Sequence, residues 1–182
     1  VLRFATTGAT VVRVWNFLGQ HRPDFAVEPG PGQESVWDYP RPPVAKRCDR
    51  QVEVKYGDSV IASTRASYRL METASPPTFY IPPDDVAWVE LVETEGGSVC
   101  EWKGAARYWA LRQKPGLPVA WDYPRPRARF DVLKNFVSFY PGRIACYVAG
   151  ERVEPQPGRF YGGWITPDVV GPFKGEPGTG HW

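Results

Sequence analysis

Histidine is nearly missing from this chain: His21 and His181, one near each end, are the whole supply. A Ser-His-Asp hydrolase needs a histidine in the body of its fold, so ordinary triad hydrolysis is excluded. Cysteine is scarce as well. Cys48, Cys100 and Cys146 are odd in number, widely spaced and never in a CxxC pair, which signals neither a disulfide framework nor a zinc knuckle. No metal or other cofactor is therefore expected, and the free thiols point to a reducing, cytoplasmic compartment. No apolar run approaches the ~18 residues of a membrane span, and Val1 to Gln20 lacks the basic region and apolar stretch of a signal peptide. No membrane partner is expected. A surplus of one charge is absent too: 22 Lys and Arg against 20 Asp and Glu leave +2, too little for a polyphosphate-binding surface, so nucleic acid is not an expected partner.

Turn-formers and aromatics are plentiful. Eighteen Gly and 20 Pro, without collagen-like periodicity, favour short strands joined by tight turns. Hydrophobic residues at 42% and charged residues at 23% suit a globular domain. Periodicity is mostly two. Val52, Val54 and Tyr56 alternate with polar residues, Gly57-Asp58 punctuates, and Val60 to Thr64 resumes, which predicts a hairpin. The same design predicts hairpins from Phe136–Tyr140 with Ile144–Val148 around Pro141-Gly142, and from Trp88–Val92 with Ser98–Trp102 around Gly96-Gly97. Ala149-Gly150 should turn the chain into Glu151 to Val153, and Tyr108 to Arg112 reads as a strand. Pro83-Asp84-Asp85 and Pro167-Asp168 should start single helical turns. The fold class expected is all-β: a compact antiparallel sandwich or partly closed barrel.

The hexapeptide WDYPRP occurs at Trp37 to Pro42 and again at Trp121 to Pro126, an offset of 84 residues. At that offset Tyr56 falls on Tyr140, Ile81 on Ile165, Pro83 on Pro167, Asp84 on Asp168 and Val86 on Val170. CEWKG at Cys100 to Gly104 resembles GPFKG at Gly171 to Gly175 if Ala87 to Val99 is an insertion. The expected organisation is an arm over residues 1–32, one β-rich domain over 33–175 holding pseudo-repeats 36–104 and 120–175, and a tail over 176–182.

The segments GQESVWDYPRPP, METASPPTFYIPPDDV, CEWKGAARYW, VSFYPG and PQPGRFYGGWITPDVVGPFKGEPGTG resemble the family known as domain of unknown function number four hundred and twenty-seven, also labelled a nucleotidyltransferase-like domain. The likeness runs from about Gly32 to Gly180. It implies a compact β-rich domain and no particular activity. The transferase label is not adopted, because that chemistry needs a phosphate-cradling glycine loop that this chain lacks. Glu101 stands where the family's commonest form has proline.

Candidate site residues follow from residue chemistry. Lys103 and Lys174 each sit between an aromatic residue and a glycine. Shielded by aromatics, such a lysine either has a lowered pKa and acts as nucleophile or base, or stays charged and holds an anion; a stem that merely covers a ring is the structural alternative. Cys100 is a candidate nucleophile with Lys103 and Glu101 beside it, against a small buried strand residue. In the duplicated motif, Trp37, Tyr39 and Arg41, and Trp121, Tyr123 and Arg125, could form an aromatic wall with a guanidinium at its rim, or a structural corner with Asp38–Arg41 and Asp122–Arg125 ion pairs. Trp102, Tyr108 and Glu72 complete the set. The leading expectation is a module binding a small anionic, aromatic or sugar-like molecule. An enzyme using Lys103 with Cys100 or a carboxylate is the second, and a protein-interaction scaffold the third.

Overall fold

A computed structural model describes residues 16–158 and 160–182. The expected arm thus lies outside the described residues for 1–15. Its remainder, with the tail, closes one side of the body.

In chain order the strands are β1 (Glu34–Ser35), β2 (Val44–Cys48), β3 (Val52–Tyr56), β4 (Ser59–Thr64), β5 (Ser67–Glu72), β6 (Ser75–Tyr80), β7 (Leu91–Glu93) and β8 (Ser98–Cys100). They continue with β9 (Gly104–Leu111), β10 (Lys114–Asp122), β11 (Val137–Phe139), β12 (Ala145–Val148), β13 (Glu151–Arg152), β14 (Glu154–Pro155), β15 (Trp164–Ile165) and β16 (Val169–Val170). Helix is confined, among the described residues, to short 3-10 turns. The fold is all-β and antiparallel apart from the short parallel β1–β16 pair. It consists of several sheets with no closed barrel: β11-β10-β9-β7 with β8 also on β9, β13-β12-β3-β4, β2-β5-β6, and two short ribbons.

Local turn chemistry explains the hairpins that form. Gly57, at φ 56°, joins β3 to β4, and Ala149 and Gly150, at φ 52° and 85°, join β12 to β13. Two expected hairpins do not form. β11 pairs with β10 and β12 with β3, because the turn from Tyr140 to Ile144, closed by the Arg143 and Ile144 amides donating to the Tyr140 carbonyl, sends the chain from one sheet into another. β7 and β8 both take β9 as partner. Their connection is pinned to β9 by Gly97, where a Cβ would stand 2.8 Å from the Ala106 carbonyl oxygen. Pro83–Asp85 is a single 3-10 turn as expected, whereas Pro167-Asp168 is a plain turn in which Asp168 is tied to Arg50 at 2.8 Å.

Three buried clusters sit between these sheets. The largest joins Val52, Val54, Ile61, Cys146 and Val148 to Leu111, Val119, Val137 and Phe139, with Phe79 and Trp164 between. At its edge Trp88 packs on Trp109, ring centroids 4.7 Å apart at 63°. A second cluster places Leu70, Tyr80, Ala106, Trp121, Tyr123, Phe130 and Leu133 together. The third surrounds Trp37, whose ring meets Phe17 and Phe25 of the arm and Trp182 of the tail at 5.1–5.2 Å. Fully burying an aromatic of this size contributes up to about 4–6 kcal/mol of transfer free energy, so the third cluster holds arm and tail to the body.

The two WDYPRP segments take different backbones. Trp37-Asp38 lies in a 3-10 turn, and Trp121-Asp122 ends β10. The expected local ion pairs are replaced by longer-range ones: Asp38 binds Arg22, Asp122 binds Arg107, and Arg41 faces Glu72. Arg107 stands directly across the β9–β10 ladder from Asp122, a better-placed partner than Arg125 beyond the end of the strand.

Candidate functional site

A cleft of about 690 Å³ opens between the three-stranded sheet and the β8–β9–β10 face. β5 and β6 supply Leu70, Glu72, Thr78 and Tyr80 to one wall, and β8 with its turn supplies Cys100, Trp102 and Lys103 to the other. Trp121 from β10 and Tyr123 just beyond its end form the floor, with Tyr108 across the ladder from Trp121. Tyr140, Arg143 and the segment from Phe160 to Gly163 close the far end.

The turn Glu101–Lys103 joins β8 to β9 through the Cys100–Gly104 pair. Gly104 carries φ 99°, a conformation that costs glycine little and other residues much. The Lys103 carbonyl accepts the Arg127 amide at 3.0 Å, and the side chain turns inward, 7% exposed. Its ammonium lies 5.5 Å from the centre of the Tyr123 ring. Burial alone pushes the Lys103 pKa down, but Tyr80, Cys100 and Glu72 facing it outweigh that, and the net shift is upward. Because Tyr80 is itself a neutral phenol near neutral pH, Glu72 is the carboxylate that faces the Lys103 side chain there.

Phenols, indoles and carboxylates share the cleft with Lys103. Burial raises the pKa of Tyr80 and of Tyr123, so both phenols stay neutral hydrogen-bonding groups. Tyr80 accepts the Trp121 indole N–H at 3.3 Å. Glu72 Oε1 accepts Trp102 Nε1 at 3.3 Å and lies 3.4 Å from Arg41 Nε. Ser98 and Tyr108 hydroxyls meet at 2.7 Å. Arg143 stacks over Tyr140, 4.2 Å from the ring centre, and donates to the Pro118 carbonyl at 2.6 Å.

Of the residues singled out in the sequence, Glu72, Cys100, Glu101, Trp102, Lys103, Tyr108, Trp121, Tyr123 and Lys174 all line this cleft. Lys174 is buried, with Nζ donating to the Trp182 carbonyl at 3.0 Å. Arg41 stands behind Glu72, holding the Phe17 and Thr73 carbonyls. Trp37, Tyr39 and Arg125 do not face the cleft. Trp37 is sealed beneath the arm and donates to the Pro172 carbonyl, Tyr39 accepts Arg69, and Arg125 is exposed in the segment after β10. Sequence reasoning missed Tyr80, Tyr140, Arg143 and the Phe160–Gly163 segment; the aromatic pair followed by two glycines in FYGGW was the available signal.

Cys48, Cys100 and Cys146 are separate thiols, and among the described residues no cluster of three His, Cys, Asp or Glu side chains could hold a metal ion. No helix among them is long and apolar enough to cross a membrane.

The family model described as a domain of unknown function, DUF427, matches residues 44–150, more than half of the chain. The chain belongs to the DUF427 family. The matched stretch carries the DUF427 cleft's two walls and floor, from Glu72 through Lys103 to Trp121 and Tyr140, while the Phe160–Gly163 wall and Lys174 lie beyond it. No protein in the curated comparison matches the sequence.

Proposed function

We propose that this DUF427 domain binds a small anionic molecule with a flat or apolar body in the cleft above Trp121. The observation that supports it best is Lys103: a buried lysine side chain facing Glu72, in the wall of an open cleft lined also by Trp102, Tyr108, Trp121 and Tyr140. A charge of that kind costs several kcal/mol to bury, and an anion arriving beside it recovers part of the cost. The volume suits one small ligand. The reading is tested by a thermal-shift screen of anionic and neutral metabolites on the wild type and on Lys103→Met. A ligand that stabilises the wild type and not the variant supports it, because binding to the native state alone raises stability by mass action. A screen in which no anion shifts the wild type removes it.

A catalytic reading has one specific observation in its favour: Cys100 lies within hydrogen-bonding reach of both Lys103 and Tyr123 in the same cleft. Abrupt loss of a measured turnover in Cys100→Ala, with ligand affinity retained, would favour it.

A further inference from the structure

The mouth of the cleft carries an unusual pair. Val99 and Phe160 are the two most exposed large apolar side chains among the described residues, each 76% exposed, and both line this cleft. A second depression of about 330 Å³ adjoins it, sharing Tyr140, Arg143, Gln156 and Tyr161 and adding Leu117, itself well exposed. Scattered apolar residues on a surface are ordinary, but apolar residues concentrated at one opening mark a contact site. An inorganic anion has nothing to bury against Val99 and Phe160.

The base of the cleft limits the charge. Lys103 already faces Glu72, and the lining side chains comprise Lys103, Arg143 and Lys174 against Glu72 and Glu101, a formal sum of three minus two, or +1. A dianion would take that formal sum to −1, whereas a monoanion brings it to zero, and unbalanced charge is costly to bury. A monoanion fits that count. Tyr80 and Tyr123, both neutral, offer hydroxyls rather than further charge.

Resting on the anion-binding reading above, we infer that the ligand class is an amphipathic monocarboxylate, its carboxylate at Lys103, its apolar body over Trp121 and its far end between Val99 and Phe160.

The test uses four probes of defined chemistry, octanoate, acetate, octan-1-ol and glucose 6-phosphate, titrated calorimetrically into the wild type, Lys103→Met and the double variant Val99→Ser/Phe160→Ser. The expected result is that octanoate binds at least about tenfold tighter than acetate or octan-1-ol, since each buried methylene adds affinity and the charge-assisted contact adds more. Lys103→Met should cost octanoate about tenfold and leave octan-1-ol unchanged, and the double variant should weaken octanoate without changing acetate. Both serine positions are exposed, so the fold should survive, and the wild-type circular dichroism spectrum checks that it does. Lys103-dependent binding of glucose 6-phosphate in preference to octanoate would keep the anion site and overturn the amphipathic ligand. Octanoate binding that ignores the Val99 and Phe160 changes would also overturn it. No Lys103-dependent binding of any probe would overturn both readings together.

Discussion

Gly162 lies against the indole of Trp121. A Cβ added at 162 would stand 2.7 Å from Trp121 Cζ3 and 3.2 Å from Tyr140 Cδ1, so the backbone of the Phe160–Gly163 segment rests directly on the cleft's aromatic floor. Both rings have further neighbours, Trp121 the Tyr80 ring and Tyr140 the Arg143 guanidinium. Gly162→Ala should therefore destabilise the protein by about 1–3 kcal/mol, as overpacking does, and lift the segment off the cleft. Denaturant unfolding with tryptophan fluorescence measures it; a variant of wild-type stability would mean that the segment moves freely away.

Lys103 and Lys174 share a sequence context and differ in surroundings, and their methionine variants should differ accordingly. Lys103→Met keeps the apolar stem and removes the charge at the base of the cleft, so the melting temperature should change little while anion affinity is lost. Lys174→Met removes the hydrogen bond to the Trp182 carbonyl, a loss of about 0.5–1.5 kcal/mol or somewhat more for a charged donor, with a smaller effect on binding. Calorimetry and thermal melts of both variants separate the two. Unfolding of Lys103→Met would make that lysine structural.

Asp122 has no exposed surface on its side chain and is held by Arg107 at 2.6 and 3.0 Å and by Trp109 Nε1 at 3.2 Å. Arg107 keeps 31% of its side chain exposed. Removing either partner is therefore not equivalent. Arg107→Ala strands a fully buried carboxylate and should cost about 3–5 kcal/mol. Asp122→Asn leaves a guanidinium that water can reach and should cost less. Equal losses in urea unfolding would contradict this asymmetry.

Burial raises the pKa of the Tyr80, Tyr123 and Tyr140 phenols and of the Cys146 thiol. In the unfolded chain these groups ionise between about pH 8.5 and 10, while the folded protein still holds its protons. Above that range the unfolded state binds fewer protons, so the slope of stability against pH is negative. The stability is complete below about pH 8.5 and falls as pH rises toward the folded values. Thermal melts across the alkaline range should show a steepening loss, smaller in Tyr123→Phe. A flat profile would show that these groups ionise without unfolding.

What the sequence made legible was local. The turns at Gly57-Asp58 and Ala149-Gly150 needed nothing beyond the residues flanking them, and both hairpins formed. Strand partners chosen across long separations were not legible: nothing in Ala145 to Val148 announces that its neighbour is β3, some 90 residues earlier. The site divided along the same line. The short β8–β9 turn carries Cys100, Glu101, Trp102 and Lys103 together into the cleft because one hairpin positions all four. Trp37 and Trp121, identical in local sequence, separated because the arm and tail, distant in the chain, cover the first alone. Tyr80 and Tyr140 look like core residues in any sequence reading, and their place in one cleft with Lys103 depends on how the sheets meet.

The contact between Trp88 and Trp109 has an optical consequence. Two indoles with ring centres 4.7 Å apart at 63° couple their electronic transitions, and the pair is held rigid by Trp88 donating to the Pro83 carbonyl and Trp109 to Asp122. The far-ultraviolet dichroism of this protein will therefore contain a couplet of opposite-signed bands from two side chains, superimposed on the weak signal of short strands. Fitted as backbone alone, that spectrum misreports the secondary structure, because the described residues hold strands and only short 3-10 turns, and Trp88→Phe, by uncoupling the rings, returns the underlying β spectrum.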